Sequence, residues 1–232
     1  HDRRAGADHR RRRTHGLGIG AVDEHLRPAL LGRDGEDLNG NLDVVEAALV
    51  GNSSAKAALD IALHDLWAKT LGQPVWKLLG GSGADVETDV TISVNPPEEM
   101  ARDALGAVKR GFKCLKTKVG VGAEIDFARL KAIREAVGPE PRIRIDANQG
   151  WEPAEAVRVL NRMADAGFGI ELVEQPVKAR DLKGMAYVTA NSPIPVVADE
   201  ACWSPEQALN ILNLGAANSV NVKLMKCGGL YP

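Results

Sequence analysis

Five charged side chains recur along the chain, each at the end of a short apolar run. They are Lys118, Asp146, Glu174, Asp199 and Lys223, and the steps between them are 28, 28, 25 and 24 residues. Each step is long enough for one strand and one helix. The carboxyl ends of such strands lie at one edge of a parallel sheet, and in a closed barrel they converge on one pocket. We therefore expect these five side chains to face one another.

Three of these side chains are carboxylates, and three ionised carboxylates repel one another unless a cation lies between them. All five histidines lie within the first 64 residues, so a metal bound in the later part of the chain would have oxygen ligands. Oxygen ligands favour magnesium, with manganese as the alternative, over zinc. The two lysines flank the carboxylates in sequence order. Such a pair can remove a proton from one face of a carbon and return it to the other.

The elements that must position these residues follow a repeating pattern of strand, loop and helix. The strand candidates are Val86–Val94, Cys114–Lys118, Arg142–Asp146, Ile170–Glu174, Val196–Asp199 and Ser219–Lys223. Helix starts are indicated by Pro96-Pro97, Pro153, Asp181 and the sequence Ser204-Pro205-Glu206-Gln207, and a further helix is predicted over Ile125–Val137. Alternation of strands with helices of this length predicts a parallel sheet. The fold class is therefore α/β.

The chain before residue 86 has a different character. Residues 1–20 carry six arginines and few apolar residues, which is typical of a basic arm for nucleic acid or an acidic partner, or of a disordered or non-native leader. We favour the leader, because no aromatic residues lie among the arginines. Residues 21–85 are predicted to be helical, with a long helix that Ser53 or Ser54 caps. Residues 86–232 form the predicted catalytic domain.

Composition excludes several classes of protein. Apolar residues make up 44% of the chain and charged residues 26%, and the formal net charge is −2, so we expect no nucleic-acid or membrane partner. No apolar stretch approaches the length needed to cross a bilayer. The three cysteines show no C-x-x-C spacing, which favours reduced thiols and a cytoplasmic location.

The residues around the strand ends resemble the muconate-lactonizing subgroup of the enolase superfamily. The matching stretches are LKTKV, RIDANQGW, LVEQPV, VVADE and NVKLMKCGG, and AKAALDIALHDLWAKTLGQPVWKLLGG resembles the end of the family's capping domain. The resemblance runs from about residue 21 to residue 230. It implies a TIM-type (β/α) barrel of which about six of eight strands are present, preceded by the helical remnant of an α+β capping domain.

The resemblance also implies roles for individual residues. Asp146, Glu174 and Asp199 would ligate magnesium, Lys118 and Lys223 would be the acid/base pair, and Lys116 would supply positive charge beside Lys118. Asn148 and Glu200 look like supporting residues. This chemistry, with a lysine base and magnesium opposite the developing negative charge, is the known strategy of the superfamily.

The implied activity is an isomerase that abstracts a proton next to a carboxylate. KLMKCGG is most similar to dipeptide epimerases, so a small-molecule carboxylate is the expected partner, and we expect a homo-oligomer in the intact form. Muconate cycloisomerase, o-succinylbenzoate synthase and N-acylamino acid racemase are alternatives.

The chain departs from the family at both ends. The capping-domain sheet and the last two strands of the barrel are missing from the pattern, and an open sheet leaves its edge strands unpaired. The remaining alternative is therefore an inactive truncated fragment or a pseudoenzyme scaffold.

Overall fold

The computed structural model describes residues 20–83 and 85–232. Over these residues the chain forms eleven helices and six strands. The helices are α1 (Ala21–Leu26, a π-helix), α2 (Arg27–Leu30), α3 (Leu38–Ala48), α4 (Ser53–Thr70), α5 (Val75–Leu78), α6 (Pro97–Lys109), α7 (Ala123–Val137), α8 (Pro153–Asp165), α9 (Leu182–Asn191), α10 (Pro205–Asn213) and α11 (Leu224–Cys227). The strands are β1 (Val90–Ile92), β2 (Cys114–Lys118), β3 (Arg142–Asp146), β4 (Ile170–Glu174), β5 (Val196–Ala198) and β6 (Ser219–Val220).

The six strands form one parallel sheet in which each strand lies beside its sequence neighbour, in the order β1-β2-β3-β4-β5-β6. A helix follows each of the first five strands and returns the chain to the start of the next, as parallel pairing requires. The α/β class and the parallel sheet are therefore confirmed. Strands β2, β3 and β4 have the predicted bounds.

The two outer strands are shorter than expected. The structure has β1 only over Val90–Ile92 and β6 only over Ser219–Val220, so the predicted strands Val86–Val94 and Ser219–Lys223 are too long. Among residues 20–83 and 85–232, each outer strand pairs with a single neighbour, which limits the length of chain that hydrogen bonds hold extended.

Local signals set the helix starts at several of the predicted positions. Asp181 accepts a hydrogen bond from Gly184 N, and Ser204 accepts one from Gln207 N, so both act as N-caps. The predicted serine cap of α4 is wrong. Asn52 precedes this helix in a left-handed conformation, and the Ser54 hydroxyl donates to Met225 O instead.

The main core lies between the sheet and helices α6 to α10. Helix α8 shows why these segments are helical, because Ala156, Val159, Leu160 and Met163 follow the helical period and are all buried. From the sheet, Ile143 is fully buried in the same cluster. Burial of one side chain of this size stabilises the fold by roughly 1.5–3 kcal/mol.

Contacts among the described residues divide the chain into two compact units. Unit 1 contains the chain up to Asp85 together with Lys223–Pro232, and unit 2 contains Val86–Val222. The division into domains at residues 21–85 and 86–232 stays a prediction, since a compact unit is a group of contacts and not a test of independent folding. The predicted leader over residues 1–20 lies outside the described residues, apart from Gly20. In the described part of the chain, no helix is both long and apolar enough to cross a membrane.

Within unit 1, Asp60 of α4 holds the last residues of the chain. Its side chain is buried and accepts hydrogen bonds from Leu230 N at 2.7 Å and Tyr231 N at 3.0 Å. Gly229 is required beside it, because a Cβ at this residue would overlap the Asp60 carboxyl group. His64 makes a 2.9 Å hydrogen bond to Asp60 O, the structural role expected of a buried histidine in this helix.

Candidate active site

The ends of three neighbouring strands are aligned in register. Lys118 of β2 pairs with Asp146 of β3, which in turn pairs with Glu174 of β4. Asp199 directly follows β5. The three acidic residues are only 1%, 5% and 1% exposed. The strand ends thus bring buried negative charge to one edge of the sheet, where ionised carboxylates need positive partners.

Two lysines of β2 supply that positive charge. Lys116 Nζ lies 3.0 Å from Asp146 Oδ2 and 2.5 Å from Glu174 Oε2. Lys118 Nζ lies 2.7 Å from the same oxygen of Asp146. The lysines are two residues apart and therefore project from the same face of the sheet. The structure brings together four of the predicted site residues in one ion-paired cluster.

The two neighbouring carboxylates keep Lys116 charged. Burial alone would lower the pKa of Lys116, but its hydrogen bonds to Glu174 and Asp146 act in the opposite direction and prevail, so the pKa is raised. At neutral pH Lys116 is therefore a fixed positive charge rather than a base.

Asn148 and Glu200, the predicted supporting residues, extend this cluster. Asn148 Oδ1 accepts from Lys118 Nζ at 2.6 Å, and Asn148 Nδ2 donates to Glu200 Oε1 at 3.0 Å. Asn148 has φ of +42°, a conformation that asparagine adopts more readily than most residues. Its backbone N–H donates to Asp146 Oδ1, so the loop after β3 turns back onto the end of its own strand.

Two amides of the site were missed by reasoning from charge. Gln175 is fully buried, and its Oε1 accepts from Asp199 N at 2.9 Å and Ala201 N at 3.1 Å. Asn221 Nδ2 donates to Glu174 Oε1 at 2.9 Å. A signal was available, since Gln175 directly follows Glu174 within the LVEQPV stretch. The charge of Glu174 marks this stretch as part of the site, but it is the neutral amide of Gln175 that binds the backbone of Asp199 and Ala201.

Lys223 lies in the other compact unit, at the residue before α11. Its carbonyl oxygen accepts from Lys226 N and Cys227 N, which begins that helix. The acid/base role of Lys223 stays a prediction that rests on the resemblance.

The donor chemistry of the strand ends fits a hard divalent cation. Asp146, Glu174 and Asp199 offer carboxylate oxygens, the ligands that magnesium prefers. Glu200 Oε2 is buried and has no hydrogen-bond partner within the described residues. Over the same residues, no three His, Cys, Asp or Glu side chains are gathered closely enough to hold an ion. In this structure the ammonium of Lys116 provides the positive charge between Asp146 and Glu174, and their joint coordination of a metal with Asp199 stays a prediction.

A cavity of about 420 Å³ lies within unit 2 beside this cluster. Its lining residues come from all six strands or from positions directly beside them: Asp89, Lys116, Arg144, Leu172, Glu174, Val197, Ser219, Val220 and Asn221. The volume is in the range of small-molecule sites in proteins. Lys116 and Glu174 belong to both the cavity wall and the charged cluster, and Asn221 of the wall donates to Glu174 Oε1.

Comparison with known families assigns both parts of the chain. The family described as mandelate racemase / muconate lactonizing enzyme, N-terminal domain, matches residues 16–80. The family described as enolase C-terminal domain-like matches residues 99–232.

Relatives of known function are similar over most of this chain. An L-Ala-D/L-Glu epimerase of Clostridium acetobutylicum is 50% identical over 212 residues, which cover 91% of this chain and 59% of the relative. Muconate cycloisomerase 1 of Rhodococcus opacus is 37% identical over 213 residues, 90% of this chain and 56% of the relative. The chain thus spans less than three fifths of the length of these relatives.

Solved structures agree with this assignment. A substrate-liganded L-Ala-D/L-Glu epimerase of Bacillus subtilis superimposes with a TM-score of 0.86 at 47% identity, over 91% of this chain and 59% of that one. A dipeptide epimerase of Enterococcus faecalis complexed with Mg and the dipeptide L-Leu-L-Tyr gives 0.85 at 42% identity, with the same coverage. The six-stranded sheet corresponds to part of a larger barrel, which confirms the predicted incomplete TIM-type fold.

Proposed function

We propose that this chain, which belongs to the mandelate racemase / muconate lactonizing enzyme family of the enolase superfamily, carries the proton-abstracting half of a magnesium-dependent epimerase. The observation that carries the proposal is the ion-paired cluster of Lys116, Lys118, Asp146 and Glu174 at adjacent strand ends. Similar clusters of charge at the carboxyl ends of barrel strands are the usual location of catalysis in this architecture.

In the proposed reaction, Lys118 takes a proton from the carbon next to a substrate carboxylate. Asp146 and Asn148 hold its amine at 2.7 and 2.6 Å, so that it has a defined direction of approach. A base must be neutral when it accepts the proton and protonated when it returns one. Lys223 is proposed as the partner on the opposite face of the carbon.

Magnesium would be held by Asp146, Glu174 and Asp199, and when bound it supplies positive charge where negative charge develops on the substrate carboxylate. Lys116, which contacts Asp146 and Glu174 at 3.0 and 2.5 Å, is proposed to add positive charge to the same region. Manganese is the proposed alternative ion, because it accepts the same oxygen ligands.

The proposed substrate class is a dipeptide, since the epimerases of Clostridium acetobutylicum and Bacillus subtilis are the relatives with 50% and 47% identity. N-acylamino acids are the alternative substrate class, because the N-succinyl-L-Arg/Lys racemase of Bacillus cereus is 36% identical to this chain. Muconate cycloisomerase and o-succinylbenzoate synthase activities remain further alternatives. A homo-oligomeric intact form, a cytoplasmic location and the absence of a nucleic-acid partner stay predictions.

A second candidate is a scaffold without turnover. It is favoured by one specific observation, that the ammonium of Lys116 pairs with both Asp146 and Glu174, at 3.0 and 2.5 Å. The chain would then keep the ion-paired cluster as a structural element.

Deuterium exchange separates the two candidates. The chain is incubated with L-Ala-L-Glu or, separately, with L-Ala-D-Glu in D₂O, with Mg²⁺ or with EDTA, and loss of the α-proton signal of the glutamate residue is followed by ¹H NMR. We expect Mg²⁺-dependent exchange of both epimers, and Lys118→Met should slow exchange by roughly 10²–10⁴-fold for the epimer whose α-proton faces Lys118. Lys113→Met is the matched control, because Lys113 is exposed and directly precedes β2.

Undiminished exchange of both epimers in Lys118→Met would refute the role of this lysine, because each lysine is proposed to reach only one face of the α-carbon. Absence of exchange in the unaltered chain, together with no Mg²⁺ binding by isothermal calorimetry, would favour the scaffold.

A further inference from the structure

Asp126 is a fully buried carboxylate that the proposed reaction does not use. It lies in the first turn of α7, with 0% of its surface exposed. Its Oδ2 accepts hydrogen bonds from three consecutive backbone N–H groups, those of Gly120 at 2.9 Å, Val121 at 3.0 Å and Gly122 at 3.0 Å. Carboxylates accept such bonds more strongly than neutral oxygens do. One oxygen therefore fixes the loop that begins directly after β2 and its two lysines.

The same carboxylate also reaches the loop after β3. Trp151 Nε1 donates to Asp126 Oδ2 at 3.1 Å, and Trp151 is only 1% exposed. Arg129 balances the charge, since its guanidinium donates to Asp126 Oδ1 at 3.1 Å and its Nε donates to Asn95 O at 3.0 Å. Asp126 is thus a shared anchor for two loops.

The two loops also touch directly, without side chains between them. A Cβ at Gly120 would overlap the carbonyl oxygen of Ala147, and a Cβ at Gly150 would overlap the carbonyl oxygen of Gly120. Val119 N donates to Asp146 O at 2.9 Å, so the contact continues up to the strand ends. At this packing density, a shift of one loop must displace the other.

The loops after β2 and β3 adjoin the donor and the acceptor of the hydrogen bond between Lys118 and Asn148. The β2 loop begins one residue after Lys118, and the β3 loop contains Asn148, which accepts from the Lys118 ammonium at 2.6 Å. We propose that Asp126 is a positioning residue, which fixes Lys118 against Asn148 and Asp146 by holding the loops after β2 and β3 together. The inference rests on the proposed function only for its effect on turnover.

An ordinary helix cap does not account for this arrangement. Asp181 shows the ordinary case, since it precedes α9 and accepts one N–H, that of Gly184 within the helix. Asp126 instead lies inside its helix and binds the chain that leads into it. Asp181→Ala is therefore a matched control for Asp126→Ala, because each removes a carboxylate that binds backbone N–H groups near a helix start.

The test measures order in the loop and at the lysine, in the full chain without metal. Amide hydrogen exchange of Gly120, Val121 and Gly122 is followed by NMR, and the Cε–Hε resonance of Lys118 is assigned from its loss in Lys118→Arg. In Asp126→Ala we expect these amides to exchange at least about tenfold faster. The Lys118 resonance should move toward that of the exposed Lys113. Neither change is expected in Asp181→Ala.

Asp126→Asn keeps an acceptor oxygen but removes the charge. It should show a smaller increase in amide exchange and a smaller shift of the Lys118 resonance. The same two measurements can be made on this variant if Asp126→Ala does not fold. For α-proton exchange with Mg²⁺, a positioning role predicts a fall in kcat of about 10²-fold in Asp126→Ala with KM little changed.

Two results would overturn the proposal. One is unchanged amide exchange at residues 120–122 in both Asp126 variants. The other is faster amide exchange with an unmoved Lys118 resonance, which would make Asp126 a purely structural anchor. If the unaltered chain fails to exchange the α-proton, the proposed function fails, and the two metal-free readouts still decide the role of Asp126.

Discussion

At the scale of single residues, the site depends on a balance between buried carboxylates and the two lysines of β2. Lys116 is the central cation, because it contacts both Asp146 and Glu174. Its side chain is 18% exposed, so water screens these contacts only in part. Removing this charge would leave two neighbouring carboxylates in mutual repulsion.

Lys116→Met should therefore destabilise the chain in EDTA by about 2–3 kcal/mol. In saturating Mg²⁺ the loss should shrink, because the proposed metal would replace the missing positive charge between the carboxylates. Urea unfolding followed by circular dichroism measures both values.

The control is Lys131→Met, which removes a surface ion pair to Glu135 at 3.9 Å and should change stability little in either condition. An equal loss for Lys116→Met with and without Mg²⁺ would argue against a metal at these carboxylates.

At the scale of helices and strands, much of the architecture followed from sequence. Strands β2 to β4 were predicted to the residue, since each is a short apolar run that ends in a charge and is followed by a helix. The ends of β1 and β6 were not predicted correctly, because each of these strands pairs with a single neighbour among the described residues and is shorter than expected. Lys118, Asp146 and Glu174 could be found by spacing alone, whereas the role of Lys116 came from the family resemblance.

The supporting amides and anchors could not be predicted in that way. Gln175 and Asp126 act through hydrogen bonds to loops whose paths depend on backbone turns and close packing. Asn221 itself lies directly after β6 and donates to the Glu174 side chain. Positive φ values at Asn148, Gln149 and Gln175 belong to the same loops. No periodic pattern in the sequence encodes such conformations.

The contact between the loops after β2 and β3 predicts an unusually sensitive glycine. Gly120→Ala should destabilise unit 2 by more than 3 kcal/mol, because the new Cβ would overlap Ala147 O in addition to the strain at φ of +91°. Gly111 has φ of +97° with no atom within 4 Å of the equivalent Cβ. Gly111→Ala should therefore cost only about 1 kcal/mol.

Chemical denaturation of the two variants compares these costs under identical conditions. Equal losses in Gly120→Ala and Gly111→Ala would mean that the loops separate easily, contrary to the close packing described above.

The opposite ends of the strands carry an ion-pair network with a defined pH dependence. Arg144 Nε lies 2.6 Å from Glu171 Oε2, and Arg142 lies 3.5 Å from the other oxygen. The hydrogen bond to Arg144 is the main reason that the pKa of Glu171 is lowered from 4.5. A carboxylate with a lowered folded-state pKa stabilises the fold above its unfolded-state pKa, and this contribution is lost as the pH falls through the folded-state pKa.

Glu171→Gln should thus be less stable than the unaltered chain at pH 7, by at most about 1 kcal/mol for such a partly exposed pair. The difference should begin to fall near pH 4.5 and disappear below the lowered pKa. Urea midpoints at successive pH values test this expectation, with the exposed Glu140→Gln as control. A difference that grows in acid would reverse the assigned sign.

At the scale of the whole chain, unit 1 is built from two distant segments. Residues 223–232 group with the helices before residue 86, and Asp60 holds the backbone of Leu230 and Tyr231. Residues 81–83 and 85–89 form neither helix nor strand, and the Glu87 side chain is 54% exposed. A cut after Glu87 would divide unit 1 between two fragments.

Limited digestion with a glutamate-specific protease should therefore give fragments 1–87 and 88–232 that elute together in gel filtration. Asp60→Ala should weaken this association, since it leaves the N–H groups of Leu230 and Tyr231 without their acceptor. Asp65→Ala, on the exposed side of α4, should not. Separate elution of the fragments from the unaltered chain would contradict the composition of unit 1.

The link from Asp60 to Leu230 spans 170 positions in the sequence. A ribosome that adds about 5–20 residues per second would finish α4 roughly 10–30 s before it adds Leu230. During that interval the Asp60 carboxylate lacks the backbone N–H groups of Leu230 and Tyr231 that it binds in the folded chain. Unit 1 can therefore be completed only after synthesis has passed both segments, so a nascent chain that ends within unit 2 would lack the contacts that residues 223–232 make with the earlier helices.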